Sequence, residues 1–156
     1  MGIPDNPSLP PSQETNRFWI YADNPNASHD DICHCYDPEL DYSGKWLLYV
    51  RLDELDAAWE LIRQSTESGR LGTQSKTSTA KTRGNYKVVC VYTRDCREIE
   101  DVRRVVNMLR KLGFLERLFY KENAATYAGQ YERGSASLYE SPDNGVIIQR
   151  REITNL

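Results

Sequence analysis

Short apolar segments with strand periodicity recur along the chain, and clusters of turn residues separate them. Aromatic and β-branched residues dominate these segments, as they do in half-buried strands. The predicted strands cover residues 19–21, 45–50, 86–92 and 117–120, followed by the segments SASLYE and GVIIQRRE. Because the turn signal Ser-Pro-Asp-Asn-Gly separates the last two segments, we expect them to pair as a hairpin.

Two longer segments instead repeat apolar residues every three or four positions, which predicts amphipathic helices. Asp53 is placed to cap the first helix, and Gly69 is placed to end it. Asp95 and Glu98 have the spacing of a capping box for the second helix, and Gly113 follows its last apolar position. The apolar stripes are Leu55, Trp59 and Ile62 in the first helix and Ile99, Val102, Val105, Leu109 and Leu112 in the second.

This order of strands and helices predicts one α+β domain, with a curved, mostly antiparallel sheet and helices packed on one face. A chain of 156 residues is long enough to bury a hydrophobic core of this kind. We assign residues 17–156 to the domain and expect one helical turn over residues 124–128, capped by Asn123. The first sixteen residues contain four prolines and few apolar side chains, which predicts a disordered or loosely docked N-terminal arm.

Charge is distributed unevenly along the chain, although the formal net charge is only -3. Residues 1–60 carry twelve acids and three bases, a balance of -9, whereas residues 61–156 carry seventeen bases and eleven acids, a balance of +6. No acid occurs between Glu67 and Asp95, an interval that contains GTQSKTSTAKTRG, residues 72–84, which we interpret as a polar loop. Because a basic surface concentrates phosphates, this pattern indicates an anionic ligand.

Several classes of protein are disfavoured by the sequence. No apolar run approaches the ~20 residues needed to cross a bilayer, and the N-terminus lacks the order of a signal peptide. We therefore expect an intracellular protein, cytoplasmic or nuclear, without a membrane partner. No Ser-His-Asp or Cys-His hydrolase pattern is present, and no motif indicates a reader of DNA sequence. The oligomeric state stays open.

One group of histidines and cysteines has the composition of a metal site. Its members are His29, Cys33, His34 and Cys35. Structural zinc sites usually combine two separated pairs of ligands, and no second pair follows, so we expect neither a metal nor another cofactor. We expect these cysteines, together with Cys90 and Cys96, to be reduced thiols.

Lys76 is the first candidate for binding a phosphate, because Thr77 and Ser78 place two hydroxyl groups beside its ammonium group. The motif is not a P-loop, since Ser75 replaces the glycine before the lysine and a strand follows instead of a helix. A solvated, flexible connector would have the same composition, so that interpretation stays open.

Further candidates come from strand ends and from aromatic residues. Lys121 ends one predicted strand close to where Tyr92 and Arg94 end another, so two cations could converge on one anion. Trp19 and Trp46 could stack on a nucleobase, and such a contact contributes roughly 1–3 kcal/mol where the base is clamped. Core packing is the alternative interpretation for both tryptophans.

Six segments, in order, resemble the basophilic-leukaemia-expressed (Bles) protein family. They are GKWLLYV, SKTSTA, VVCVYT, RKLGF, LFYK and AATYAGQY, and the resemblance runs from about Trp19 to Tyr139. It implies a fold similar to that of the cap-binding translation initiation factor 4E. That factor clamps a methylated guanine between two tryptophans and holds its phosphates with Lys and Arg, and the tryptophans here do not match that clamp position by position.

A second resemblance is to phosphothreonine lyases, in which a loop lysine removes the α-proton of phosphothreonine. Lys76 in SKTST looks like that lysine, but the histidine that acts as acid in those enzymes has no counterpart in KWLLYV. Three hypotheses follow: a domain that binds a nucleotide or RNA end, a lyase acting on a phosphorylated peptide with Lys76 as general base, and a protein-interaction domain. Charge reversal at Arg103 and Arg104 would test the third.

Overall fold

The computed structural model describes residues 9–28, 31, 42–124, 137–143 and 146–153. The strands in these ranges are β1 (Trp19–Asp23), β2 (Gly44–Arg51), β3 (Gln74–Ser78), β4 (Tyr86–Thr93), β5 (Leu118–Glu122), β6 (Tyr139–Ser141) and β7 (Ile148–Gln149). The helices are α1 (Leu52–Glu67) and α2 (Ile99–Lys111). The strands form one antiparallel, curved sheet in the order β1-β3-β4-β2-β5-β6-β7. The predicted α+β class is therefore confirmed.

A single hydrophobic core joins both helices to one side of the sheet. Trp46 and Leu48 of β2 are fully buried in it, with Leu55 of α1 and Val102 of α2. The indole nitrogen of Trp46 donates a hydrogen bond of 3.1 Å to the carbonyl oxygen of Val102, which attaches β2 to α2. The predicted apolar stripes pack against this side, and half-buried Ile99 and Leu112 border the core.

Both helices end as predicted but begin differently. Gly69 and Gly113 follow the helices with positive φ angles of 80° and 100°, which a residue with a side chain rarely adopts. The two predicted caps are wrong. Helix α1 begins at Leu52 after extended Arg51, and Asp53 lies in its first turn, 2.6 Å from the Arg51 guanidinium.

The predicted capping box of α2 does not form, because ion pairs occupy both of its carboxylates. Glu98 is itself the residue before the helix and makes no side-chain cap bond. Its carboxylate accepts hydrogen bonds of 2.7 and 2.8 Å from the Arg94 guanidinium. Asp95 accepts hydrogen bonds from the backbone N–H and the guanidinium of Arg97.

The segment predicted as a polar loop contains strand β3, which pairs with β1 on one side and β4 on the other. Apolar periodicity missed it because its buried side chains carry hydroxyl groups. Ser75 and Thr77 are fully buried, and the Ser75 hydroxyl lies 2.8 Å from that of Thr66 in α1. A hydrogen-bonded hydroxyl can therefore replace a methyl group on the inner side of this strand.

Part of the N-terminal arm lies against the domain. Ser12 donates hydrogen bonds from its backbone nitrogen and its hydroxyl to the carboxylate of Asp56, at 2.9 and 2.5 Å. Ala80 donates a backbone hydrogen bond to Pro11. Residues 1–8 lie outside the described residues, and the boundary at residue 17 stays a prediction.

The predicted C-terminal hairpin forms between β6 and β7, with Glu140 opposite Ile148. Residues 125–128 of the predicted helical turn lie outside the described residues. Cys90 and Cys96 are buried free thiols, whereas Cys33 and Cys35 lie outside the described part of the chain. In the ranges that the structure describes, neither helix has the length and apolar character required of a membrane span.

Candidate functional site

The sheet has two faces of different composition. Side chains alternate along each strand, so the residues between the buried core positions point away from α1 and α2. We call that side the open face. On the four central strands it presents Gln74, Lys76 and Ser78 of β3; Tyr86, Val88, Cys90 and Tyr92 of β4; Lys45, Leu47, Tyr49 and Arg51 of β2; and Phe119 and Lys121 of β5. These four strands thus place four cations and no carboxylate on the open face.

Lys76 lies between two aromatic rings on this face. Its ammonium nitrogen is 3.9 Å from the ring centre of Trp19 on β1 and 5.8 Å from that of Tyr92 on β4. The ammonium of Lys45 approaches the same Tyr92 ring at 5.6 Å. Two strands that are not neighbours, β3 and β2, thereby direct their lysines toward one ring on the strand between them.

Lys121 extends this arrangement to a fifth strand, β5. It lies directly opposite Lys45 in the pairing of β2 with β5, where side chains are about 4.5–5.5 Å apart at their β-carbons. The Lys45 ammonium also donates a hydrogen bond of 3.1 Å to the side-chain oxygen of Asn123. We refer to Trp19, Lys45, Lys76, Tyr92 and Lys121 as the lysine–aromatic cluster.

The surroundings of the cluster disfavour positive charge on two of its lysines. Burial lowers the pKa of Lys76, and a weaker interaction with Cys90 opposes this shift. Burial also lowers the pKa of Lys121, and the positive charge of Arg151 adds to the effect. Like charges held opposite one another destabilise a sheet, so an anion bound between Lys45 and Lys121 would offset that cost.

Cys90 lies beneath the cluster and is not an activated thiol. It is opposite Lys76 in the pairing of β3 with β4. Burial raises its pKa above the ordinary value, although the charges of Lys76 and Lys45 partly offset that rise. Because the thiolate is the nucleophilic form, burial that raises the pKa of Cys90 disfavours covalent chemistry at this residue.

Three predicted ligand-binding residues face the core or are already engaged. Trp46 is 0% exposed on the helix side, with its ring edge against Tyr120 at 5.3 Å between ring centres, so base stacking by Trp46 is wrong. Thr77 is buried on the same side and donates its hydroxyl hydrogen bond to the Ser78 carbonyl. The Ser78 hydroxyl is buried and accepts a hydrogen bond from the Val88 backbone. Neither hydroxyl is placed to orient a phosphate.

Arg94 belongs to a different part of the surface. Its guanidinium pairs with Glu98 at the start of α2 and lines a separate cleft of about 220 Å³. Asp101 and Arg104 also line that cleft, whereas no member of the lysine–aromatic cluster does. The expected convergence of Arg94 with Lys121 is therefore wrong, and Lys45 occupies the position opposite Lys121 instead.

Lys45 is the cluster member that sequence reasoning missed. The segment KWLLYV alternates, and its period of two carries the necessary signal. If Trp46 faces the core, Lys45 and Leu47 must face the other way, beside whatever the neighbouring strands present there. The ambiguity over Trp46 concealed this consequence.

Among the residues that the structure describes, no three or more His, Cys, Asp and Glu side chains are grouped so that they could hold a metal ion. The four residues considered as a zinc cluster, His29, Cys33, His34 and Cys35, lie outside that portion. The groups that the lysine–aromatic cluster offers to a ligand are ammonium groups and aromatic rings.

Solved structures of the translation initiation factor eIF4E share this fold. Schistosome eIF4E complexed with m7GpppA and 4E-BP has a TM-score of 0.52 and 17% identity, over 68% of this chain and 62% of that protein. The complex of C. elegans eIF4E-3 with the 4E-binding protein Mextli and a cap analog has a TM-score of 0.53 and 20% identity, over 70% and 65%. Ascaris suum eIF4E-3 with m7G cap has a TM-score of 0.55 and 15% identity, over 81% and 69%.

The chain spans less than two thirds of the length of the schistosome and C. elegans proteins. At such identities the likeness establishes the fold and no more. A family model matches residues 39–129, more than half of the chain, and this region carries Lys45, Lys76, Tyr92 and Lys121. The chain belongs to the family of the basophilic leukemia-expressed protein Bles03.

Proposed function

We propose that the lysine–aromatic cluster binds a phosphate-bearing ligand, a nucleotide or an RNA end. The observation that carries this proposal is the approach of two ammonium groups, those of Lys76 and Lys45, to the single ring of Tyr92. Lys121 lies opposite Lys45, which brings a third cation to the same surface. Ammonium groups from three strands can thus surround the phosphates, and the Trp19 ring can stack on the base.

The contact between Lys76 and Trp19 suits an exchange of partners on binding. Because Lys76 is half-buried, its contact with the indole contributes between about 0.5–1 kcal/mol, as at an exposed site, and about 2 kcal/mol, as at a desolvated one; two hydrogen bonds from the ammonium to a phosphate, at about 1.5–3 kcal/mol each, exceed it. An arriving phosphate can therefore draw the Lys76 ammonium away from the ring. That movement uncovers the face of the Trp19 indole, on which the base can then stack.

The proteins of known structure with this fold support a nucleotide as the ligand class. Those from schistosome, C. elegans and Ascaris were solved with m7GpppA, a cap analog and an m7G cap, respectively. Their ligands combine a purine with a phosphate or polyphosphate group, the two features that aromatic rings and lysines recognise. One fold hosts many functions, so this support adds to the geometry of the cluster and does not replace it.

Tryptophan fluorescence gives a direct test, because Trp46 and Trp59 are buried and Trp19 is only half-buried. We expect GTP and m7GTP, titrated at low salt, to change the emission, and guanosine without phosphate to do so far more weakly. Lys76→Met should weaken nucleotide binding at least tenfold, since it removes a charge and keeps the volume. Lys111→Met, an exposed lysine at the end of α2, is the matched control and should have no effect.

Two results of that titration would contradict the proposal. One is the absence of any response up to millimolar nucleotide. The other is equal binding by the wild type and Lys76→Met, which would place the ligand elsewhere. Trp19→Phe should abolish the emission change and leave some binding detectable by calorimetry, because the phosphate contacts remain.

A lyase acting on a phosphorylated peptide is the second candidate, and the lowered pKa of Lys76 favours it. A lysine with a lowered pKa is more often neutral at physiological pH and can then accept the α-proton of phosphothreonine. The departing phosphate needs a proton donor, and the only two histidines, His29 and His34, lie outside the described residues. Mass spectrometry of a phosphothreonine peptide separates the candidates, since elimination removes phosphoric acid whereas binding leaves the mass unchanged.

A further inference from the structure

We infer that the open face continues from the lysine–aromatic cluster as a platform for single-stranded RNA, with Tyr49 and Tyr86 each receiving one base. This inference rests on the proposed function, in which an RNA end occupies the cluster. The ligand would then extend beyond the nucleotide at the cluster: the bound molecule would be the end of an unpaired RNA chain and not a free nucleotide.

On the four central strands, two tyrosines form the exposed aromatic part of the open face. Tyr49 of β2 is 54% exposed, and Tyr86 of β4 is 65% exposed. Such exposure is unusual for large rings on two adjacent strands, because burying them would stabilise the fold. Aromatic side chains left in water on a sheet are typical of surfaces that stack bases.

The register connects these rings to the cluster. Tyr49 lies four residues after Lys45 on the same face of β2, a distance of roughly 13 Å along the strand. Tyr49 is opposite Val88, and Arg51 is opposite Tyr86, so the two tyrosines are diagonal neighbours about 7–8 Å apart. Each ring can therefore contact a different base of a chain whose first phosphates lie at Lys45 and Lys76.

Charge along the same path fits the backbone of a nucleic acid. Arg51 lies beside Tyr86 in the register, and its guanidinium pairs with Asp53 at the start of α1. The open-face positions of β3, β4, β2 and β5 include no carboxylate; among the described residues, Asp23 of β1 and Glu140 of β6 lie on this face beyond them, and Asp53 pairs with Arg51. A polyanion can cross the central strands without meeting a like charge on them.

A single strand fits this face better than a duplex does. Stacking on a protein ring requires a base whose face is uncovered, and bases inside a duplex have none to offer. The platform predicts an affinity that increases with the number of unpaired nucleotides until both tyrosines are occupied. It predicts only a weak preference for sequence, since every base has an aromatic face.

The test uses the full chain and the Trp19 emission with 5′-triphosphorylated single-stranded RNAs of one, two, four and eight nucleotides. We expect affinity to rise at least about fivefold for each ring engaged and then to level off. Tyr49→Ala combined with Tyr86→Ala should remove this dependence on length and leave mononucleotide binding unchanged. The corresponding Phe variants keep the rings and should keep the gain, and Leu61→Ala, an exposed residue of α1, is the control on the other side.

Each failure has a distinct meaning. If mononucleotides bind through Lys76 and longer RNAs bind no more tightly, the platform is overturned and the proposed function stands. A gain with length that survives the double Ala variant, or that duplex RNA reproduces, also overturns it. If neither mononucleotides nor longer RNAs bind, both proposals fail together.

Discussion

Cations on the helices and cations on the open face have different surroundings. On the helices, three of the four arginines pair with a carboxylate three or four residues away, Arg63 with Glu60 and Glu67, Arg103 with Glu100, and Arg104 with Asp101, whereas Arg110 donates to backbone carbonyls. On the open face, Lys76 and Lys45 lie against aromatic rings, and Lys45 lies opposite Lys121. The three paired arginines therefore contribute little net field, whereas the lysines add positive charge to one surface.

This difference corrects the view of charge along the chain. The positive balance of residues 61–156 includes many arginines whose partners lie beside them in sequence. Lys45, in contrast, comes from the acidic first part of the chain and reaches the cluster only because β2 lies between β4 and β5. Sheet order, more than sequence balance, determines where an anion can bind.

The largest expected effect distinguishes Trp46 on the helix side from Trp19 on the open face. Trp46→Ala leaves a cavity in the core and should reduce the free energy of unfolding by about 3–5 kcal/mol. Trp19→Ala removes a half-buried ring and should cost about 1 kcal/mol or less, while it weakens ligand binding. Urea unfolding followed by circular dichroism measures both. Similar losses of stability would show that Trp19 is also a core residue.

A smaller effect separates two neighbouring residues of β5. Glu122 is buried on the helix side, where its carboxylate accepts hydrogen bonds from the guanidinium of Arg151. Glu122→Gln should cost about 2 kcal/mol, below the ~3–5 kcal/mol for a fully buried pair, because Arg151 is partly exposed. Lys121→Gln should leave unfolding almost unchanged and reduce nucleotide affinity. A reversed pattern in the same two assays would place the function on the helix side.

The sequence allowed most of the sheet and both helices to be predicted, because their buried side chains are apolar and their periods are regular. Strand β3 escaped, since its inner residues Ser75 and Thr77 bury hydroxyl groups instead of apolar side chains, and the Ser75 hydroxyl finds its partner, Thr66, in α1. The candidate site was predicted at Lys76, Tyr92, Lys121 and Trp19. Their proximity depends on strand order and register, which no local pattern specifies.

The lowered pKa of Lys76 should make both the free energy of unfolding and the affinity for an anionic ligand depend on pH. A lysine whose pKa is lower in the folded state than in the unfolded chain destabilises the fold while both states are protonated. This cost is present below the folded-state pKa and disappears as the pH rises to the unfolded value of about 10.4. Lys76→Met should therefore unfold at an equal or higher denaturant concentration near neutral pH, and its advantage should shrink toward pH ~10.

Binding should show the complementary dependence on pH. An anionic ligand favours protonated Lys76, so nucleotide affinity should fall as the pH rises through the lowered pKa. Lys76→Arg keeps its charge and should retain affinity with a flatter profile across this range. Calorimetry in buffers with different ionisation enthalpies would detect the proton taken up by the wild type. If the wild type and Lys76→Arg have the same profile, Lys76 is not the titrating contact.

The smallest effect is expected on the helix surface, and it tests whether the arginines there are a competing anion site. Glu100 is an exposed partner of Arg103, so Glu100→Gln should change the free energy of unfolding by less than about 0.5 kcal/mol. The substitution also leaves Arg103 without that partner and adds net positive charge to α2. If phosphate ligands bound at the helices, their affinity would rise. We expect the nucleotide titration, repeated at about 0.1 M salt, to be unchanged, because a charge added on the helix side is screened within about 10 Å at that ionic strength.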